Sequence, residues 1–298
     1  MISVLIPVYN FDVNSLVGLV HNQLSSCAIP FEILVMDDKS DTEFTISNSK
    51  INELHHTRYL VSETNHGRLK TRVLLSEEAQ YEWLLFMDAD TLPKSERFIE
   101  NYLDAINDNT ETIFGGFAYY DKAPENKHLL RWKYGKKHEV SDASDRNKKP
   151  YKLIISANFM IKKTVLKNLD LKFSVAQYGY DSYFGSRLKS EGIQVNHINN
   201  EVYHLGLEEN WKYLEKKEQA AESLLHFYKN NLIQDHQNSL LSLFVFLKKL
   251  QLHHLFAACY KSFGERMRSN LTGNNPSIAL LQLYRISYLC NSYKNGKD

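Results

Sequence analysis

Trp83-Leu84-Leu85-Phe86-Met87-Asp88-Ala89-Asp90-Thr91-Leu92-Pro93 is the stretch on which the reading of this chain turns. Five large apolar residues in succession are too few for a helix that stands alone. They read as a strand of a parallel sheet, buried on both faces. Asp88 and Asp90 follow at its carboxyl end, where ligands of open α/β sheets bind. Side chains alternate with period two along extended chain, so the two carboxylates can turn to the same side. So close together they repel, unless a cation lies between them. A divalent ion with oxygen ligands fits, and one held by two carboxylates keeps positions for phosphate oxygens. Asp-x-Asp also occurs in many surface turns. The apolar strand before it and the Thr-Leu-Pro turn after it favour a site here.

The residues upstream repeat the pattern of strand, polar turn and helix. Ile2–Val8 is an apolar run broken by Pro7-Val8-Tyr9-Asn10, and a helix follows over Val13–Cys27 with Val13, Leu16, Val17, Val20 and Leu24 on one face. Phe31–Met36 is a second strand that ends in Asp37-Asp38, followed by a helix over 41–54. A short strand at Tyr59–Ser62 leads through Asn65-His66-Gly67-Arg68 to a helix over 69–80 that carries Lys70 and Arg72. Pro93 is expected to open a further helix with Phe98, Ile99, Tyr102, Leu103 and Ile106 on its buried face. Repeated in this way, the pattern predicts an α/β fold with a doubly wound, mostly parallel sheet.

From Thr112 the pattern changes. Ile113–Tyr120 reads as a strand interrupted by Gly115-Gly116, which permits a bulge or a close approach of backbone to a ligand. Residues 122–152 carry ten Lys or Arg against four Asp or Glu. They are expected to form a loop or partly helical flap, either closing over phosphates or merely solvated. Strands are expected at Leu153–Ile161, Ile193–Ile198 and from Val202. Gln177-Tyr178-Gly179-Tyr180-Asp181 precedes a helix at Ser182–Glu191. Beyond 208 the chain reads as three helices, over 210–231, 239–263 and 277–293, a C-terminal helical appendage.

Composition narrows the function. The chain has 298 residues, of which 43% are hydrophobic, and its 36 basic and 35 acidic side chains nearly cancel. A global nucleic-acid or anionic-membrane surface is therefore not indicated by net charge, local patches being left open, and no nucleic-acid partner is expected. Cys27, Cys259 and Cys290 are far apart and follow no metal-ligand spacing, which suits a reducing, cytoplasmic location. The first residues read as a strand and not as a signal peptide. No run reaches the roughly 18 apolar residues of a spanning helix. The apolar run Leu240–Leu247 suits core packing or a homodimer contact, with peripheral docking on the inner membrane face as the other reading. There is no Gly-x-Gly-x-x-Gly after the first strand and no Gly-x-x-x-x-Gly-Lys-Ser/Thr, so dehydrogenase and P-loop readings lose their support. Pro7–Asn10, Asp37–Asp38, Asn65–Arg72 and Asp88–Asp90 should fall at one edge of the sheet. Their acids, turns and cations suit a nucleotide.

These motifs, in this order, resemble the inverting glycosyltransferases of family 2, which have the GT-A fold. Ile6-Pro7-Val8-Tyr9-Asn10 looks like their first strand, and Asp37-Asp38-Lys39-Ser40 like their Asp-Asp-x-Ser turn. Asn65-His66-Gly67 with Thr71-Arg72 is similar to their Asn-x-Gly-x-x-x-Ala-Arg segment, with Thr for Ala. Asp88-Ala89-Asp90 matches their metal-binding Asp-x-Asp. The closing Val202–Glu208 looks like bacterial surface-polysaccharide enzymes. The resemblance implies a catalytic domain over 1–207, with a nucleotide-binding half (1–110) and an acceptor half (111–207), followed by the 208–298 helices.

The resemblance also implies roles for single residues. Pro7, Tyr9 and Asp38, with Asp37, would line the base and ribose site, joined by Asn65 and with Arg72 near the base. Asp88 would hold the ribose or the metal's water shell. Asp90 would ligate Mn²⁺ or Mg²⁺, and His204 falls where related enzymes carry a histidine that reaches the metal or the diphosphate. Asp181 would be the base that deprotonates the acceptor hydroxyl; Tyr180 stands where the family has Glu, and the other reading of Asp181 is a helix cap. Gly115-Gly116 would let the donor sugar lie against the backbone. Asn158 is expected to bond a neighbouring strand, and Trp132 and Trp211 to be core residues, with acceptor contacts as the other reading. The implied activity is metal-dependent, inverting transfer from a nucleotide-diphosphate sugar, expected to be a UDP-sugar, to a hydroxyl of a glycan or lipid-linked glycan. The competing readings are a non-catalytic nucleotide-sugar-binding homologue and a sugar nucleotidyltransferase.

Overall fold

The structure, a computed structural model, describes residues 1–169, 171, 178–233 and 237–296. In chain order it begins with β1 (Ile2–Val8), α1 (Asn14–Ser26), β2 (Phe31–Asp37), α2 (Thr42–Ser49), β3 (Thr57–Val61) and α3 (Arg68–Glu78). Next come β4 (Trp83–Met87), β5 (Thr91–Pro93), α4 (Phe98–Asp104), β6 (Thr112–Phe114), β7 (Phe117–Ala118), α5 (Leu129–His138) and α6 (Ala143–Asn147). Then follow β8 (Asn158–Lys162), α7 (Lys163–Asn168), α8 (Tyr180–Ser190), β9 (Val195–His197) and β10 (Val202–His204). The chain closes with α9 (Asn210–Lys229), α10 (Ser239–Lys249), α11 (His253–Thr272) and α12 (Ile278–Lys294). Two compact units result, neither continuous in sequence. The described residues of 1–118, 140–173 and 191–206 make the first; those of 119–139, 174–190 and 207–298 make the second.

The first unit is built on a seven-stranded sheet of order β3-β2-β1-β4-β8-β6-β9. β1 is parallel to both neighbours, with Val8 opposite Asp37 of β2 and Leu5 opposite Phe86 of β4, and β2 is parallel to β3. Every residue of β1 and β2 is buried, as unbroken apolar runs between two layers require. The register puts the carboxyl ends of β1, β2 and β4 on one edge. β8 runs antiparallel to β4 and β6, and its Phe159 stacks on Phe86 and Phe114 at ring separations of 5.0 and 5.3 Å. Burying each such ring stabilises the fold by about 2–3 kcal/mol.

Several expectations need correction. Pro93 does not open a helix. It ends β5, pairing with Val202 at the edge of a three-stranded sheet of order β5-β10-β7, where a missing N–H does no harm. The strand expected over 113–120 is two strands in different sheets, parted at the glycine pair. β8 begins only at Asn158, and the helix expected over 41–54 gives way to a 3₁₀ turn at Lys50–Glu53.

The basic segment 122–152 is partly helical, as expected, holding α5 and α6, and most of its lysines are exposed; Arg131 and Arg146, however, are buried. Arg146 lies in the first unit and donates to the carbonyls of Phe114, Gly115 and Ile198. Arg131 lies in the second unit, where Nη1 meets Glu139 Oε2 at 2.9 Å and its guanidinium lies over the rings of Tyr119 and Tyr213. Burial alone would raise the Glu139 carboxyl, but Arg131 and Lys217 hold it at about 2.

In the second unit α9 packs against α11 and α12, where its Glu218 accepts from Arg268 and from the Tyr284 hydroxyl, both at 2.5 Å, and Tyr260 of α11 meets Tyr284 and Tyr288 of α12 edge-on. The helix expected over 239–263 is broken. Gln251 takes a left-handed φ of 59°, and Gln251 and Leu252 donate to the carbonyls of Lys248 and Leu247. This closes α10 with a bend of 112° before α11.

Candidate functional site

The carboxyl ends of β1, β2 and β4 place the first group of expected residues. Pro7 is buried within β1, and Tyr9, just beyond it, is 56% exposed. Asn10, with a left-handed φ of 49°, locks this end to the next turn: its N–H donates to Ser40 Oγ, and its side chain exchanges hydrogen bonds with Asp41. Asp37 is fully buried. It accepts from Ser40 N at 2.6 Å, Thr45 Oγ1 at 2.9 Å and the Tyr59 hydroxyl. Burial and this carboxylate push the Tyr59 phenol far above its ordinary range. Asp37 thus holds the turn together from within.

Asp38 organises the next loop. Its two oxygens accept from the N–H groups of His66 and Gly67, both at 2.7 Å, while Asn65 Nδ2 donates to its carbonyl at 3.0 Å. Gly67 has a φ of 80°, which a side chain would resist, and it starts α3. Arg68 and Arg72 are four residues apart and so share a face of that helix. Both reach Asp88. Arg68 Nη2 is 2.6 Å from Oδ2 and its Nε 3.1 Å from Oδ1, while Arg72 Nη2 is 2.6 Å from Oδ1. Arg72 is buried, lies over the rings of Phe86 and Phe159 and also donates to the Ser156 carbonyl at 2.6 Å; Arg68 is exposed. With both Asp88 oxygens taken up by guanidinium groups, Asp90 is the better placed of the two for a metal.

Asp90 and His204 are brought together by strand register. The antiparallel β5–β10 pair sets Thr91 opposite His204, and Leu205 N donates to the Asp90 carbonyl at 2.8 Å. His204 Nε2 lies 3.3 Å from Asp90 Oδ2. That is close to the roughly 3 Å between neighbouring ligands of an octahedral ion bound at ~2.1 Å. Among the described residues no three His, Cys, Asp or Glu side chains converge on one ion. The pair therefore fits an ion that also takes water and phosphate oxygens. Gly206 leaves room for it: a Cβ there would lie 2.1 Å from Asp90 Oδ2.

Other residues take structural places. Asn158 is buried, accepts from the Tyr102 hydroxyl at 2.6 Å and donates to the carbonyls of Gly116 and Asn200. A Cβ on Gly115 would lie 2.4 Å from Asn158 Nδ2, and Gly116 has a φ of 93° with the Arg146 guanidinium against it. At both glycines the position that a Cβ would take is filled by the protein itself. Trp132 donates to the Tyr120 carbonyl, and Trp211 is largely exposed instead of core. Asp181 stands in the first turn of α8 in the second unit. Gln177 of the same motif lies outside the described residues. The sequence reading gave no role to Arg68, although its place four residues before Arg72 was a usable signal.

The sheet edge, the arginine-clamped carboxylate and the acid–histidine pair lie on an α/β fold of the GT-A class. The profile of glycosyl transferase family 2 matches residues 3–170, more than half of the chain, and the chain belongs to that family. It is a glycosyltransferase with the GT-A fold and a helical C-terminal part. Among solved structures it is similar to residues 1–349 of S. aureus TarS, with 17% identity, a TM-score of 0.53 and coverage of 99% of this chain and 92% of that one. The same fragment in complex with UDP gives 15% identity and a TM-score of 0.54, and in complex with UDP-GlcNAc 17% and 0.50, at the same coverages. Against a longer TarS structure (17% identity, TM-score 0.50) the match covers 75% of this chain and 39% of that one. No curated protein matches the sequence.

Proposed function

We propose that the chain transfers one sugar, with inversion, from a UDP-sugar to a hydroxyl of a glycan or lipid-linked glycan. The carrying observation is the edge formed by Tyr9, the Asp38-clasped loop and the Arg68–Asp88–Arg72 cluster, with Asp90 and His204 on the adjoining strands. The exposed Tyr9 ring offers a face for the base. Asp38 fixes the loop from which α3 starts, and Asp88 aims the two arginines. Mn²⁺ or Mg²⁺, held by Asp90 and His204, would offset charge on the departing diphosphate. Asp181 would take the proton from the acceptor hydroxyl as it attacks the anomeric carbon. The uridine base is supported by the UDP and UDP-GlcNAc complexes of the structurally similar TarS fragment.

Thermal unfolding with UDP, GDP, CDP or dTDP, each with and without Mn²⁺, tests this. A ligand that binds only the folded state raises the midpoint by mass action, so no acceptor is needed. The expected result is a Mn²⁺-dependent rise of several degrees with UDP. No rise with any nucleotide or with UDP-sugars would overturn the reading. Tyr180 in place of the family's Glu supports a second reading, a binding protein without turnover. A UDP response with no transfer or donor hydrolysis by the parent protein would select it.

A further inference from the structure

We propose that the α10–α11 corner of the second unit docks on an anionic lipid bilayer surface. α10 turns Leu241, Phe244 and Leu247 into the core of its unit and leaves Leu243, Phe246 and Leu250 on an outer stripe. α11 buries His253, Ala257, Gly264, Met267 and Leu271, and a second stripe of Leu252, Leu255, Cys259 and Phe263 follows at helical spacing. Phe246 is 56% exposed, Leu255 66% and Phe263 51%. Large apolar side chains left this open in succession mark an interaction surface.

Charge selects the occupant. Residues 237–296 carry seven Lys or Arg and one acid, Glu265, in a chain whose net charge is only +1. Lys249 is exposed beside the first stripe, and Arg266 is exposed where the second ends. Apolar side chains entering the headgroup boundary, with cations at its level, are the chemistry of interfacial helices. A second copy joined about a two-fold axis would set this basic face against itself. The pair lies on the surface: α10 and α11 have the length and apolar composition of a span only when taken together, they are bent by 112° at their junction, and one face of each is committed to the protein core. Sugar transfer is not assumed in any of this.

Co-sedimentation of the full chain with vesicles tests the proposal, using phosphatidylcholine alone and phosphatidylcholine with about one-third phosphatidylglycerol, at low and high salt. Binding is expected only to the anionic vesicles and is expected to weaken with salt. The pair Phe246→Ser with Leu255→Ser, and separately Lys249→Glu with Arg266→Glu, should each weaken it at least about tenfold. All four positions face solvent, so circular dichroism and the unfolding midpoint should match the parent. Absence of binding to anionic vesicles, or binding unchanged in both double variants, overturns the proposal. A parent dimer in sedimentation velocity that Phe246→Ser with Leu255→Ser converts to monomer also overturns it, in favour of a second copy.

Discussion

Arg72 Nη2 lies 2.6 Å from Asp88 Oδ1 and equally close to the Ser156 carbonyl oxygen. One buried guanidinium thus ties the end of β4 to the chain entering β8, and it lies over the rings of Phe86 and Phe159. Arg68 makes a second contact with the same carboxylate from a far more exposed position.

The two arginines should therefore separate stability from binding. Arg72→Met removes a buried guanidinium from Asp88, whose side chain is only 18% exposed, and is expected to cost about 2–4 kcal/mol in urea unfolding. Arg68→Met should cost less than about 1 kcal/mol, because the Arg68 side chain is itself 46% exposed. It should nevertheless reduce the UDP-induced rise in midpoint. Equal losses of stability would refute the distinction.

Asp37 and Asp38 are neighbours with different work. Asp37→Ala leaves Ser40 N, Thr45 and Tyr59 without their buried acceptor, and a loss of about 2–3 kcal/mol is expected. Asp38→Ala frees the loop at 65–67, so its larger effect should be on nucleotide affinity, measured by calorimetric titration with UDP.

Asp90→Ala and His204→Ala should each remove the Mn²⁺ dependence of the UDP response. Gly206→Ala is the sharper test. The three atoms nearest its Cβ would all belong to Asp90, Oδ2 at 2.1 Å and Cβ and Cγ at 2.9 Å, so the Mn²⁺ effect should shrink by far more than the ligand-free midpoint falls. A full Mn²⁺ effect in Gly206→Ala would show that the Asp90 position is not critical.

His197 should make stability depend on pH. Burial, with Arg146 adding to it, lowers this imidazole to about 4, against an ordinary value of 6.5. Between about pH 6.5 and pH 4 the unfolded chain holds a proton that the folded one refuses, so stability is full above this window and falls as pH drops through it. His197→Gln should flatten the pH dependence of urea midpoints across that window, and an unchanged slope would refute the assignment.

Much of this was legible along the chain. Largely apolar runs of five to seven residues, broken by a polar turn after β1 and by acids after β2 and β4, revealed these three strands, because a strand buried on both faces shows no alternation. Pro93 misled because proline suits both a helix start and an edge strand, and only pairing with Val202 decides between them. In the basic run at 122–152 composition counted charges without locating them: most of its lysines are exposed, but Arg131 and Arg146 are buried, satisfied by a carboxylate, aromatic rings and carbonyls. At the glycine pair the positions that side chains would take are held by Asn158 and Arg146.

The sequence by itself determined the strand and helix alternation, the sheet edge on which Tyr9, Asp38 and Asp88 gather, and the family. These follow from local periodicity and from motifs whose members lie within a few residues of one another. Tertiary structure alone decided that Asp37 works inward, that two arginines share Asp88, that Asp90 faces His204, and that α10 and α11 meet at an apolar corner. Asp90 meets His204 only through the register of strands more than a hundred residues apart, and the others depend on how turns and helices pack against the sheet and each other, which no local pattern spells out.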